Sequence, residues 1–422
     1  MASRCTSRKP TPDIRPQAIR TNLPTEKSDS ESVIRTVNLT ELPDVVLFAV
    51  FSHCTTETLG KICQVCKRLQ KLVYCDIVWA KFAKQALMIY ASGRKSKWKV
   101  TCLHEHCRLS THWVRKQCTE FILARNSSRL LPWMQMDQDK LWVSSKHLIR
   151  SYNLHVRGLP KKAKKHVLAL PNTQDVTRFA VKDNVVVSGC RDGSVYMFEG
   201  GRCVKAFYKL HETDAQAVDF HNNILVSGSR DKTVKIVSLG NEVSHDHHQP
   251  IRAVINLRER VWSLAIQPAG GSFTVGTAGV RGTPSLSVWD LHSESLLHTL
   301  GDYRYGAGVL DMKYEDDHCL LSCGYDACLR LWDLRTGKCV NEWTEPYDST
   351  LYCVQTDSNV AMVTGTAQHG MVRLWDKRTN VPVQEYFFGQ KSPVYSLAFD
   401  SRRIYAALDL STNYKDFTDM QK

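Results

Sequence analysis

At 422 residues the chain exceeds one ordinary single-core domain, so several units or a repeat array must account for its length. Its 43% hydrophobic and 23% charged residues allow a sizeable core and exclude wholesale disorder, while the longest apolar run in the N-terminal part, Val45 to Phe51, falls far short of the roughly 20 residues of a membrane span. A net charge of +14 favours acidic partners, and 15 cysteines, an odd number set mainly in apolar segments such as Cys319 to Cys323, point to a reducing compartment, cytoplasmic or nuclear.

Residues 1–36, rich in Ser, Thr, Pro and charge, read as a flexible tail. Arg4, Arg8, Lys9, Arg15 and Arg20 imitate a mitochondrial presequence, but Pro10, Pro12 and Pro16 spoil the amphipathic helix it needs. From Leu39 to Leu87 apolar residues recur at helical spacing. Leu42, Val46, Leu47, Val50 and Phe51 form one face, and Leu59, Ile62, Val65, Leu69 and Leu72 another. Pro43 stands where a first helical turn tolerates it, and Thr55 to Thr58 supply a polar break with a cap for the next helix.

Within residues 37–84, Leu42-Pro43, the pairs Val46-Leu47 and Val50-Phe51, Val65-Cys66-Lys67, Leu72, Asp76 and Trp79 together resemble the F-box, a small all-α domain. Leu69 departs from that pattern, where Trp is frequent. The resemblance implies docking on the Skp adaptor and, through it, on the cullin and RING subunits of a ubiquitin ligase. It implies that Leu42, Pro43, Val46, Leu47, Val50 and Phe51 carry the contact as apolar anchors entering a groove, although some of them must also hold the bundle together.

Residues 85–117, with Lys95, Lys97, Trp98, Lys99 and Trp113, read as a helical linker. Residues 118–422 carry units of roughly 40 to 45 residues, each giving four strands, which is the period of a propeller blade. The clearest hairpins run Val185 to Phe198, Ile224 to Val237 and Cys319 to Asp333, turning at Asp192, Asp231 and Asp326. Ser272 to Asp290 has a longer turn, and Ala361 to Asp376 puts Gln368, His369 and Gly370 where the Asp turn is expected. Trp289, Trp332 and Trp375, each followed by Asp, lie 43 positions apart. Lys140 to Leu154 makes a degenerate first blade and six more follow. The seventh is one strand short, and because an open edge invites pairing with other chains, Cys118 to Asn126 is the expected donor of its missing strand.

These features resemble the WD-repeat β-propeller, all-β and seven-bladed, whose rings close by splicing in an N-terminal strand. The Gly-His pair usual before each first strand is missing, with His211 and Glu212 its nearest trace. Asn413 to Phe417 alternates poorly, which predicts an irregular last blade.

An F-box followed by WD repeats resembles the substrate receptors of Skp, cullin and F-box ubiquitin ligases. That resemblance implies binding of phosphorylated proteins at one rim, with Arg191 and Arg230, in adjacent SGCRD and SGSRD turns, holding phosphate. Planar guanidinium groups suit that bidentate, charge-assisted task. Tyr325 occupies the homologous place in the fifth blade, and Trp262, Tyr352 and Tyr395 are expected near the same rim, where aromatics can pack apolar residues of a ligand. No nucleophile with its base, paired carboxylates or phosphate-cradling loop stands out, so neither catalysis nor a cofactor is expected. Cys102, His104, His106, Cys107 and His112 crowd together without metal-ligand spacing and fit an amphipathic helix better; Cys63 and Cys66 form a CxxC inside the F-box pattern. A rival reading is a propeller scaffold that binds RNA or chromatin through basic patches such as Lys161 to Lys165. The polar stretch with His245, His247 and His248 reads as an exposed connection.

Overall fold

The computed structural model describes residues 38–90, 102–154, 166–240, 250–280, 284–301, 306–389 and 391–418. The tail, the basic part of the linker (Lys95, Lys97, Trp98, Lys99), Lys161 to Lys165 and His245 to His248 lie outside them. Among the described residues, no helix is long and apolar enough to cross a membrane.

The N-terminal part is helical: α1 (Asp44–Ser52), α2 (Thr56–Ile62), α3 (Lys67–Val73), α4 (Asp76–Gln85) and α5 (Leu103–Val114). Each start has a local cause. The Pro43 carbonyl accepts the N–H groups of Val46 and Leu47 at 3.0 and 3.1 Å, which opens α1. Thr55 Oγ1 accepts the Thr58 N–H at 3.2 Å and caps α2, and the Cys66 sulfur accepts the Leu69 N–H at 3.5 Å and caps α3. Arg68 on α3 then donates to the carbonyls of Thr40 and Leu42 and pairs with Asp44, so the Leu42-Pro43 start is pinned to the bundle.

Seven four-stranded antiparallel sheets follow, the blades of a propeller. Blades one to six occupy residues 134–169, 176–207, 215–256, 261–300, 309–344 and 351–387, with their strands in sequence order and their first strands touching around the centre. The seventh takes three strands from residues 396–416 and its outermost from Thr119–Arg125, which runs antiparallel to Ser411–Asp416 with Phe121 opposite Tyr414. The last blade therefore has its full four strands, and Ser411–Asp416 is not left as an edge. The poorly alternating segment is no irregularity: Ser411–Asp416 is buried at every position, and a strand covered on both faces needs no alternation.

The repeated Trp-Asp pairs are architectural. The indole N–H groups of Trp332 and Trp375 donate to Ser322 and Thr364 on the second strand, each at 2.8 Å, and the following aspartate caps the turn to the fourth strand. His211 is 1% exposed and sits 3.0 Å from Asp231 and Thr233 and 2.8 Å from Ser227, joining loop, turn and strand of blade three. Blade six lacks the turn aspartate and substitutes a buried pair, Arg373 with Glu345 at 2.5 Å, backed by Glu385 at 2.9 Å.

Helix α5 joins the two parts. Its Cys107 enters the helical core with Leu47, Phe51, Leu69 and Trp79, whereas Leu109 and Trp113 enter the core of blades six and seven. The extended segment before it does the same at period two, Met88 inward to the helices and Leu87 and Ile89 to the propeller. Trp113 is fully buried, stacks on Phe417 at 4.1 Å, donates to the Ser401 carbonyl at 3.0 Å and accepts the Tyr386 hydroxyl on its own carbonyl at 2.6 Å.

Burial lowers the pKa of His104 and His106 on α5 from the usual 6.5, against the attraction of Glu105. The unfolded chain therefore takes up these protons first, and the stability of the junction, complete above about pH 6.5, declines as pH falls through that value. Thermal melts at pH 7.5 and 5.5 are expected to differ, and the double change His104→Gln, His106→Gln should shrink that difference; an unaltered pH dependence would contradict the assignment.

Candidate functional site

The first candidate surface is α1. Of the six residues implied as adaptor contacts, Leu47 and Phe51 are completely buried in the helical core and present no exposed surface. The reason is helical geometry, because the apolar arc of α1 is wider than the stripe its neighbours cover. Leu42 is half-buried against the same core, while Pro43 is exposed and Val46 and Val50 remain 43% and 41% exposed, one turn apart on a single face. Val45, at 79%, and Ile77 on α4, at 69%, are apolar and exposed as well and were not singled out from the sequence. The second predicted face is interrupted: Leu59 and Leu69 are buried, but Val65 lies between helices and is 67% exposed.

This division has a measurable consequence. Val46→Ala with Val50→Ala is expected to leave the melting temperature nearly unchanged while weakening adaptor binding about tenfold, whereas Leu47→Ala should cost about 2–3 kcal/mol of stability. Calorimetric titration against the Skp adaptor and denaturant melts of the same variants separate the two effects. The reverse pattern would mean that α1 is packed the other way round.

The second candidate surface is one rim of the propeller. The backbone N–H groups of Arg191, Arg230 and Tyr325 donate to the carbonyls of Asp175, Asp214 and Gly308, each just before a first strand, so the three residues are equivalent in blades two, three and five. The turn carrying Arg191 is held by Asp192, which accepts the Ser194 N–H at 3.0 Å and the Asn172 amide at 2.6 Å. Gly193 has φ +82°, and a Cβ there would lie 2.0 Å from the His211 carbonyl, so that turn accepts no side chain. Both arginines are exposed. Arg230 pairs with Asp214 at 3.2 Å, leaving other N–H donors of its fork available; Arg191 makes no ion pair among the described residues.

The predicted aromatics gather on the same rim. Trp262 and Tyr325 meet at 6.4 Å and 77°, Tyr352 and Tyr395 at 5.7 Å and 89°. The rings thus make two pairs, one across blades four and five and one across blades six and seven, and burial raises the pKa of Tyr325 and Tyr395. Below the rim, Arg178 of blade two bridges to blade five: it donates to the Leu310 carbonyl at 2.6 Å, lies 3.6 Å from Asp311 and covers the Trp133 ring at 4.2 Å. Sequence reading missed Arg178, whose partners are distant in the chain, and also Arg258 and Arg260, exposed on the loop entering blade four. The run Leu257 to Arg260, charged and placed directly before Val261-Trp262, was the available signal.

The other sequence candidates resolve structurally. His104 packs between Tyr74 at 4.6 Å and Trp79 at 4.7 Å, His106 lies 5.3 Å from Tyr90, and His112 bonds the Phe417 carbonyl at 2.7 Å. Among the described residues no three His, Cys, Asp or Glu side chains converge on a metal site. Cys66 is the α3 cap, and burial raises the pKa of the Cys63 thiol, opposite to what a reactive cysteine needs.

The F-box-like family model matches residues 39–85, and the WD domain, G-beta repeat model matches 201–238 and 294–333. Over 387 residues, 90% of this chain and 93% of the relative, the sequence is 35% identical to F-box/WD repeat-containing protein 4, or dactylin, of Homo sapiens, and it matches the Mus musculus protein to the same degree. A partial match, 23% identical over 210 residues and covering 48% of this chain and 31% of the other, links it to a probable E3 ubiquitin ligase complex SCF subunit, sconB, of Aspergillus niger. With its F-box, its seven-bladed propeller and this near full-length likeness, the chain belongs to the F-box/WD-repeat protein family.

Proposed function

We propose that the protein is a non-catalytic substrate receptor of an SCF-type ubiquitin ligase: the exposed ridge of α1 docks on the Skp adaptor, which brings cullin and RING subunits, and the propeller rim holds phosphorylated proteins for ubiquitination and degradation. The observation that carries the reading is the shared helix α5, which packs into both cores and so joins the helical part with its exposed α1 face to the propeller. A receptor so built acts by proximity, raising the effective concentration of substrate lysines near a charged conjugating enzyme, and needs no reactive residue of its own. Phosphate specificity is supported by Arg191 and Arg230 on neighbouring blades, and an SCF role by the name of the fungal relative. Free thiols at all the described cysteines suit a cytoplasmic or nuclear protein. The test is reconstitution: the chain with Skp, cullin and RING subunits should ubiquitinate bound phosphoproteins, and ligation that proceeds equally without the chain would refute the reading.

A further inference from the structure

We propose that the outer strand of blade four, Leu296–Leu300, is a self-pairing edge: two copies of this chain associate by adding these strands to one another, antiparallel about His298, so that each blade continues into the other. The inference is independent of what the rim binds.

Each blade ends on an outer strand whose far side pairs with no further strand among the described residues, and such an edge templates another chain unless it is blunted. Six of the seven are blunted. That of blade one is four residues long. Those of blades two, three and five carry Arg202 and Lys205, Arg252, and Lys338 and Glu342. That of blade six opens on Pro382, holds Glu385 and is met by α5, where the Gln384 amide donates to the Val114 carbonyl at 2.8 Å. That of blade seven carries Glu120 and Arg125. Leu296–Leu300 holds no Lys, Arg, Asp, Glu or Pro, and its first four residues are exposed, Leu296 at 48% and Leu297 at 44%. The register shift near Leu296 recurs in blades two, three, five and six, so it does not set blade four apart.

The same blade departs from its neighbours one strand further in. The place that Ser322 and Thr364 fill on the second strands of blades five and six is Val275 in blade four, so the Trp289 indole has no acceptor there and donates to Ser287 on its own strand at 2.9 Å. Trp289 is left half-buried, where Trp332 and Trp375 are 5% and 0% exposed, and the register sets it beside Leu296. An aromatic ring next to two exposed leucines gives an added strand apolar contact beyond its backbone hydrogen bonds.

Charge selects the occupant. A second Leu296–Leu300 strand puts Leu296 opposite Leu300 and Leu297 opposite Thr299, with His298 on the two-fold axis, and brings no Lys, Arg, Asp or Glu together. None of the other outer strands of five or more residues can pair with its own copy without burying charge. Antiparallel pairing sets the two rings in opposite senses, so their rims open in opposite directions. Five residues per copy make a small interface, and association near about 10 μM is expected. Each chain carries a net charge of +14, so salt should strengthen the association by screening the repulsion.

The experiment is sedimentation velocity of the full chain between about 1 and 100 μM, at about 0.1 and 0.5 M salt. A shift from monomer to dimer mass is expected across that range, at lower concentration in the higher salt. Leu297→Lys, and Thr299→Lys at the position it faces, should each weaken association at least about tenfold with the melting temperature unchanged, whereas Val340→Lys, 62% exposed on blade five, should have no effect. Amide exchange is an independent readout: protection at Leu297 to Thr299 should rise with concentration. A monomer throughout the range overturns the proposal, as does a dimer that both lysine variants leave intact. Protection of the strand at every concentration would assign the edge to another segment of this chain, and protection that appears only with the Skp adaptor would assign it to the adaptor; either result overturns self-pairing.

Discussion

Trp113→Ala is expected to destabilise the protein by about 3–5 kcal/mol, more than any single change on either functional surface. The indole is fully buried, stacked on Phe417 at 16°, edge-on to Tyr386 at 90°, and hydrogen-bonded to Ser401. Truncation leaves a cavity where α5 meets blades six and seven, close to the strand Thr119–Arg125 that completes the ring. Loss should therefore be seen at both ends at once: a single denaturant transition shifted to lower midpoint, with adaptor binding and peptide binding failing together. Two separate transitions, with the helical part unaffected, would show that the parts are joined by a tether and not by a common core. Trp113→Phe, which keeps most of the packing and drops the bond to Ser401, should recover most of the loss.

Charge reversal of Arg191 and Arg230 to Glu is expected to abolish capture of phosphorylated peptides while leaving the fold and adaptor binding intact. Both side chains are exposed, and the one ion pair broken, Arg230 with Asp214, is a surface pair worth at most about 1 kcal/mol. The same two positions replaced by Lys should give an intermediate result, because an ammonium keeps the charge but not the planar fork that matches phosphate. Capture unchanged by reversal, measured by fluorescence anisotropy with a phosphoserine peptide selected on the wild-type protein, would remove both residues from the site.

What could be read from the sequence is what local chemistry specifies. The Leu42-Pro43 helix start, the Thr55 cap, the Asp turns and the Trp-Asp strand ends each depend on residues a few positions apart, and the structure uses them as hydrogen-bonding units. The equivalence of Arg191, Arg230 and Tyr325 was legible because repeat register carries one blade onto the next. What could not be read depends on which neighbour covers a surface. Val46 and Leu47 are adjacent and equally apolar, yet one is exposed and the other buried, because α1 presents a wide arc and the rest of the helical core covers part of it. Trp113 looked like one aromatic in a basic linker; its partners Tyr386 and Phe417 lie at the far end of the chain. Arg258 and Arg260 fall between repeats, where alignment of strands and turns gives no weight to a residue.

Capture on immobilised Skp adaptor tests most directly the proposal that one chain carries both an adaptor-docking face and a phosphate-binding rim. The chain is loaded on the adaptor, exposed to degenerate peptides that share one fixed phosphoserine, and the retained peptide is measured before and after phosphatase treatment, for wild type and for Arg191→Glu with Arg230→Glu. The account predicts retention that needs the chain, disappears with phosphatase and is lost in the double variant although the variant stays on the adaptor. Equal retention with and without phosphate, or in wild type and variant alike, would contradict it.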